Sequence, residues 1–238
     1  MIELHSVGTP NGHKVSIMLE ETGLPYEIIA YDIFAGDQLT PAFLKLNPNN
    51  KLPVIVDRAP EDGSAPLTVF ETGAILVYLA EKTGQFLPAD ARGRAEVLQW
   101  LFWQTSGMGP MHGQAHHFIR YAPEGADTGY ARDRYMAEAL RLLRVMEGRL
   151  GDVPYLADAY SIADMAAWPW IRALGLIDVP LADYPAIEAW YRAIEARPAV
   201  ETGANVILDY RKRKVTSDKV PLTPAQWAVL FGERQFGG

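Results

Sequence analysis

The sequence contains no cysteine in 238 residues. That absence excludes disulfides, thiolate metal sites and any redox thiol belonging to the chain itself, and it fits a cytoplasmic location. Long apolar runs are missing too: none approaches the roughly 18 residues needed to cross a bilayer, so no membrane role is expected. The N-terminus opens directly on "IELHS", with no basic segment and no small-residue cleavage site, so no secretory signal is expected either. Positive charge is in deficit, with 22 Lys and Arg against 29 Asp and Glu and a net charge of −7. Such a balance argues against nucleic-acid binding, which depends on neutralising phosphates. The one local exception is the basic run "RKRK", Arg211–Lys214. Internal repeats and low-complexity tracts are absent.

What is there suffices for two modest domains or one large one with a buried core. The content of 49% hydrophobic and 21% charged residues is ordinary for a globular protein. The first part alternates strand and helix signals. Ile2–Ser6 and Tyr26–Ala30 read as strands, and between them Val15, Met18 and Leu19 form a helical stripe closed by Gly23. "PAFLKL" is a short helix with Pro41 at its first position. Two short strands, Val54–Val56 and Leu67–Phe70, flank the turn-rich "DRAPEDGSAP", and a helix over Glu71–Lys82 stops at Gly84. The order βαβαββα predicts a compact α/β layer over residues 1–84. A linker over 85–90 follows. Residues 91–200 then carry helical patterns only: "LQWLFWQ" within 91–119, an arginine-rich helix near 129–150, "YSIADMAAWPWI" and "YPAIEAWYRAIEARP". Ser161 with Asp164 three residues on has capping-box spacing, and Pro169 inside that helix predicts a kink. The extension 201–238 holds one short helix signal, "TPAQWAVLFG", capped by Thr223.

Three short stretches carry chemistry. "GTPNGHK" brings Gly8, Gly12 and Lys14 together, but three residues rather than four separate the glycines and His13 intervenes before Lys14, so it is not a phosphate loop. It is a polar helix N-terminus, where free N–H groups and the helix dipole favour an anion, a thiolate included; plain capping by Thr9 or Asn11 is the competing reading. In "NNKLPV", a cis peptide before Pro53 leaves the backbone of Leu52 facing outward, able to pair with a peptide-like ligand; a trans proline opening an edge strand fits equally. In "FETGAI", Glu71 and Thr72 stand where a strand becomes a helix, placed either to hold an α-amino-acid group or to cap the helix.

Taken together, "TPNGHKV", "NPNNKLPVIVD", "FETGAILVYLAEKTG", "LQWLFWQ" and "SIADMAAWPW", in that order over about residues 1–200, resemble the glutathione transferase superfamily, and most of all its bacterial Nu-class group of disulfide-bond oxidoreductases. The resemblance implies a thioredoxin-like N-terminal domain, an all-helical C-terminal bundle, a cis Pro53 and a homodimer. It implies that Thr9 and Asn11 lie beside the glutathione sulfur and that Leu52 and Pro53 meet the cysteinyl backbone. It also implies that Glu71 and Thr72 hold the γ-glutamyl end and that Gln38 and Lys51 face the glycyl end. Arg134, in "RDRYMAE", is implied to reach a glutathione on the other subunit.

Tyr26 and Tyr31 belong to the second strand and its exit, so no tyrosine of the chain is expected to activate a thiol. The expected nucleophile is glutathione itself, as one or two molecules or glutathione disulfide per site, and the expected function is glutathione-dependent disulfide-bond reduction. A conjugating transferase and a non-catalytic binding protein on the same fold are the alternatives. His112, His116 and His117 include an i, i+4 pair, but no acidic third ligand lies nearby and the HExxH order is absent; packing or a second-substrate wall is preferred, and no metal is expected. The cluster "WLFWQ" is expected to be mainly interhelical core, with an outward member a candidate wall of the pocket.

Overall fold

A computed structural model describes residues 1–211 and 222–235. The basic run Arg211–Lys214 lies outside the described residues except for the backbone of Arg211. Four strands, β1 (Ile2–Ser6), β2 (Tyr26–Ala30), β3 (Val54–Asp57) and β4 (Leu67–Phe70), form one sheet in the order β2-β1-β3-β4. Strand β1 pairs parallel to β2 and antiparallel to β3, which pairs antiparallel to β4. Central β1 is buried along its whole length, as a strand paired on both edges and covered by helices should be.

Helix α1 (Pro10–Thr22) begins earlier than its apolar stripe suggests, because Thr9 caps it and Pro10 occupies its first turn. Gly23 closes it in the left-handed region (φ 66°). Gly12 lets the helix tip lie against the exit of β1: a β-carbon there would fall 2.2 Å from the Val7 carbonyl oxygen. Helices α2 (Pro41–Leu44) and α3 (Thr72–Thr83) complete the first layer.

The helical part follows the sequence pattern with one difference. The helical pattern near 91–119 is α4 (Ala91–Trp103), a π-helical turn (Gln104–Met108), α5 (Gly109–His116) and a second π-helical turn (His117–Tyr121). Pro110 has no N–H to continue an α-helical ladder, and the first π turn lies just before it. Helix α6 (Gly129–Asp152) is the arginine-rich helix, and α8 spans Pro185–Glu195. Helix α7 (Ile162–Arg172) is buried over nearly its whole length and runs three residues past Pro169. Its capping box is complete: Asp164 accepts from the Ser161 backbone N–H, and also from Leu156 N–H and Trp190 Nε1.

Helix α9 (Pro198–Arg211) passes through residue 200, where the sequence suggested that the helical domain ends. It docks on α1 so closely that a β-carbon at Gly203 would lie 2.6 Å from the Ile17 α-carbon, and Ser16 Oγ donates to the Gly203 carbonyl at 2.5 Å. Helix α10 (Pro224–Leu230) is capped by Thr223 as expected. Val229 packs beside Gly36 of the first layer, while Trp227 Nε1 donates to the Tyr121 carbonyl oxygen and Phe231 meets His117 and Tyr121. The extension therefore bridges both parts. None of the described helices is long and apolar enough to cross a membrane.

Candidate functional site

Two helix N-termini and one loop converge on a cavity of about 170 Å³ lined by Asn11, Asn47, Asn49, Lys51, Leu52, Pro53, Glu71 and Thr72. The three chemistry-bearing stretches thus share one site. At the tip of α1, Thr9 Oγ1 accepts from Gly12 N–H at 3.3 Å, which is the capping reading, and Thr9 does not line the cavity. Asn11 does line it, at the second helical position, where its backbone N–H has no intrahelical partner. Trp170 Nε1 donates to Asn11 Oδ1 at 3.3 Å.

The loop before β3 is braced by Asn47, which sequence reasoning left without a role. Its Nδ2 donates to the Lys51 carbonyl oxygen at 2.7 Å and its Oδ1 accepts from Asn49 N–H at 2.9 Å. Asn-Pro-Asn-Asn was the available signal, since asparagine side chains bond the backbone of their own turn. The Leu52–Pro53 peptide is cis. No turn or loop hydrogen bond among the described residues takes either backbone group of Leu52.

At the tip of α3, Glu71 sits with φ 68° and makes no capping bond with its side chain. A left-handed conformation costs a non-glycine residue about 1–3 kcal/mol. The carboxylate is exposed and open to a cation, while the first N–H groups of α3 are open to an anion.

Beneath this tip lies a residue that the sequence presented only as a failed phosphate-loop lysine. Lys14 is 2% exposed, and its ammonium donates to Gln104 Oε1 at 2.7 Å and to Thr72 Oγ1 at 3.4 Å. Burial pushes its pKa down to about 7, opposed by the negative charge of Glu71. Gln104 comes from the π-helical turn, so the lysine ties the helical part to the α3 tip.

The other sequence-derived candidates divide, with Lys51 at the cavity and the rest away from its lining. Gln38 is buried, donates from Nε2 to the Ile33 carbonyl oxygen at 3.3 Å and does not line the cavity. Lys51 lines it and donates to Gln235 Oε1 at 3.1 Å, so the extension reaches the rim. Arg134 is exposed on α6 and pairs with Glu138 at 3.5 Å. Tyr31 is bonded to His5 Nδ1 at 2.8 Å and Tyr26 to Glu20, and neither phenol lines the cavity. In the "WLFWQ" cluster Leu101 and Gln104 are buried, whereas Phe102 is 58% exposed and does not wall the cavity. His112 and His116 are buried, and burial pushes both down to about 4. No group of three or more His, Asp or Glu side chains among the described residues is arranged to hold a metal ion.

The arrangement can bind a zwitterionic amino-acid end at α3, a peptide backbone at Leu52 and an anion at α1. The sequence models described as glutathione S-transferase N-terminal and C-terminal domain match residues 9–82 and 129–193. Disulfide-bond oxidoreductase YfcG of Escherichia coli (strain K12) is 51% identical over 200 residues, covering 84% of this chain and 92% of the relative. A glutathione transferase from Burkholderia graminis, solved with two glutathione molecules per subunit, is similar with a TM-score of 0.82 and 50% identity, covering 86% of this chain and 87% of that one. A glutathione transferase from Pseudomonas putida, solved with one glutathione disulfide per subunit, gives 0.81 and 42%, covering 86% and 91%.

Proposed function

We propose that this chain, which belongs to the glutathione S-transferase family, is a glutathione-dependent disulfide-bond reductase whose attacking thiol is carried by the substrate. The observation that carries the reading is the convergence of Asn11, the Leu52–Pro53 edge and the Glu71–Thr72 helix tip on one cavity in a chain without cysteine. Glutathione fits that pattern. Its γ-glutamyl ammonium meets Glu71, its α-carboxylate takes the N–H groups and hydroxyl at Thr72, and its cysteinyl backbone pairs with Leu52. The sulfur then points toward Asn11 and the tip of α1, with Lys51 on the glycyl side. Thr9 acts by capping α1, and Gln38 by holding the loop that follows β2.

The chemistry balances without a protein thiol. The bound thiolate attacks one sulfur of a disulfide, the sulfur–sulfur bond breaks, and one thiol leaves after taking a proton. A second glutathione thiolate then attacks the glutathione sulfur of the mixed disulfide, releasing the other thiol and forming glutathione disulfide. Such exchange is fastest when the attacking thiol has a pKa near ambient pH. Lowering a thiol by one unit takes about 1.4 kcal/mol, within reach of one charge-assisted hydrogen bond.

The Nu-class assignment rests on the YfcG likeness. We divide the chain into a glutathione-binding domain (1–84), a linker (85–90), a helical domain from 91 through the end of α9 at Arg211 and an extension beyond it, and place the protein in the cytoplasm. A homodimer fits the exposed apolar Leu67, Phe70 and Phe102; Arg134 then serves the partner's site, and a monomeric mass by light scattering removes it from that role.

The test is steady-state reduction of hydroxyethyl disulfide by glutathione. Turnover well above uncatalysed exchange is expected. No acceleration overturns the reading and directs attention to electrophiles as substrates.

A further inference from the structure

Asn11 has two chemically opposite ends, and a thiolate responds to them with opposite sign. The amide NH₂ stabilises a nearby thiolate by donating to it, whereas the carbonyl oxygen repels it. Which end faces the cavity therefore decides whether Asn11 activates glutathione or opposes it. No feature of α1 makes that choice.

The indole of Trp170 does. Its Nε1–H is a donor only, so the atom it meets at 3.3 Å must be the Asn11 carbonyl oxygen. With Oδ1 engaged, Nδ2 has no partner among the described residues and is not sealed from solvent. The indole is itself held in place. It is 7% exposed and lies against the face of α5 formed by Gly109, His112, Gly113 and His116, spaced i, i+3, i+4 and i+7. The His116 ring stacks on it at 15° with centroids 5.9 Å apart, and His112 meets it edge-on at 6.5 Å. The two glycines keep the backbone of α5 open to the ring, with idealised β-carbons 3.7 and 3.5 Å away from it.

We infer that Trp170 is a positioning residue that turns the donor end of Asn11 toward the sulfur of bound glutathione. This rests on the reading that glutathione occupies the cavity. The titratable groups near the pair and its neighbours include His13 and Lys14 on α1, His112 and His116 on α5, Arg120 after them, Arg172 on α7, and Glu71 and Lys51 at the cavity. The three histidines, pushed down to about 4, are neutral across the range where a thiol titrates. The histidine-rich stretch therefore acts as a neutral clamp on the indole.

The experiment follows the thiolate of bound glutathione by its ultraviolet absorbance as pH is varied. Wild-type protein should lower the pKa below that of free glutathione. Trp170→Phe keeps a smaller aromatic ring and removes the N–H, and should raise the bound thiol by about half to one unit, with glutathione affinity unchanged when it is measured below the pKa of the bound thiol. Asn11→Ala should raise it as well, and adding Trp170→Phe to that variant should change nothing more. An unshifted pKa in Trp170→Phe, or additive shifts in the double variant, overturns the inference while leaving the reductase reading intact. A wild-type thiol that titrates like free glutathione overturns the inference, while the reductase reading is decided separately by turnover of hydroxyethyl disulfide. Exchange of the Trp170 indole hydrogen is a second readout that does not depend on Trp170→Phe folding. Protection in wild type that is lost in Asn11→Ala supports the inference, and no protection in wild type overturns it.

Discussion

Lys14 shows how much a single side chain can carry once it is taken out of water. Its ammonium has two acceptors, Gln104 and Thr72, and no bulk solvent. The folded pKa of about 7 lies below the ordinary 10.5, so between those values the unfolded chain holds a proton that the folded one lacks. Stability from this group therefore rises with pH through that window, and below it the cost of the buried charge is constant. Chemical denaturation across the window should show this rise in wild type and a shallower one in Lys14→Met. Equal slopes would mean that the lysine keeps an ordinary pKa. The residue was visible in "GHK", but its burial was not, because both acceptors come from distant segments.

At the scale of elements, the caps read from the sequence were Thr9, Ser161 and Thr223; Thr40 and Asp90, which the sequence reading did not single out, cap their helices the same way, through a side-chain bond to a backbone N–H two or three residues on. The Ser161–Asp164 box was readable for the same reason, but Leu156 and Trp190 as further donors to Asp164 were not. Removing this buried carboxylate in Asp164→Ala leaves several buried donors without an acceptor. The expected loss in urea denaturation is about 3 kcal/mol or more, with an unchanged slope. A loss below about 1 kcal/mol would mean that water replaces the carboxylate at little cost. The two π-helical turns escaped the sequence pattern because each shifts the apolar spacing over only five residues, too few to show.

For the molecule as a whole, the extension is the least conventional part. Helix α10 buries Val229 and places Trp227 and Phe231 on the second π-helical turn, while Gln235 holds Lys51 at the cavity rim. A chain ending at Arg211 loses these contacts. At about 25 cal/mol per Å² of apolar surface, its melting temperature should fall by about 5 °C. An unchanged melting temperature would show that α10 does not brace the two parts in solution.

Strand positions, helix caps, the order of elements and the absence of a protein thiol were all set by residues acting on near neighbours or by composition, and the amino-acid string displays such effects directly. The contacts that make the site a site are of another kind. Asn11 with Trp170, Lys14 with Gln104, and Lys51 with Gln235 join residues 159, 90 and 184 positions apart. Nothing in the local pattern around either partner announces the other. Only packing of α1 against α3, α7 and α9, and docking of the extension at the rim, brings these groups within hydrogen-bond reach; burial then gives Lys14 its depressed pKa, and the Trp170 indole holds the Asn11 carbonyl oxygen.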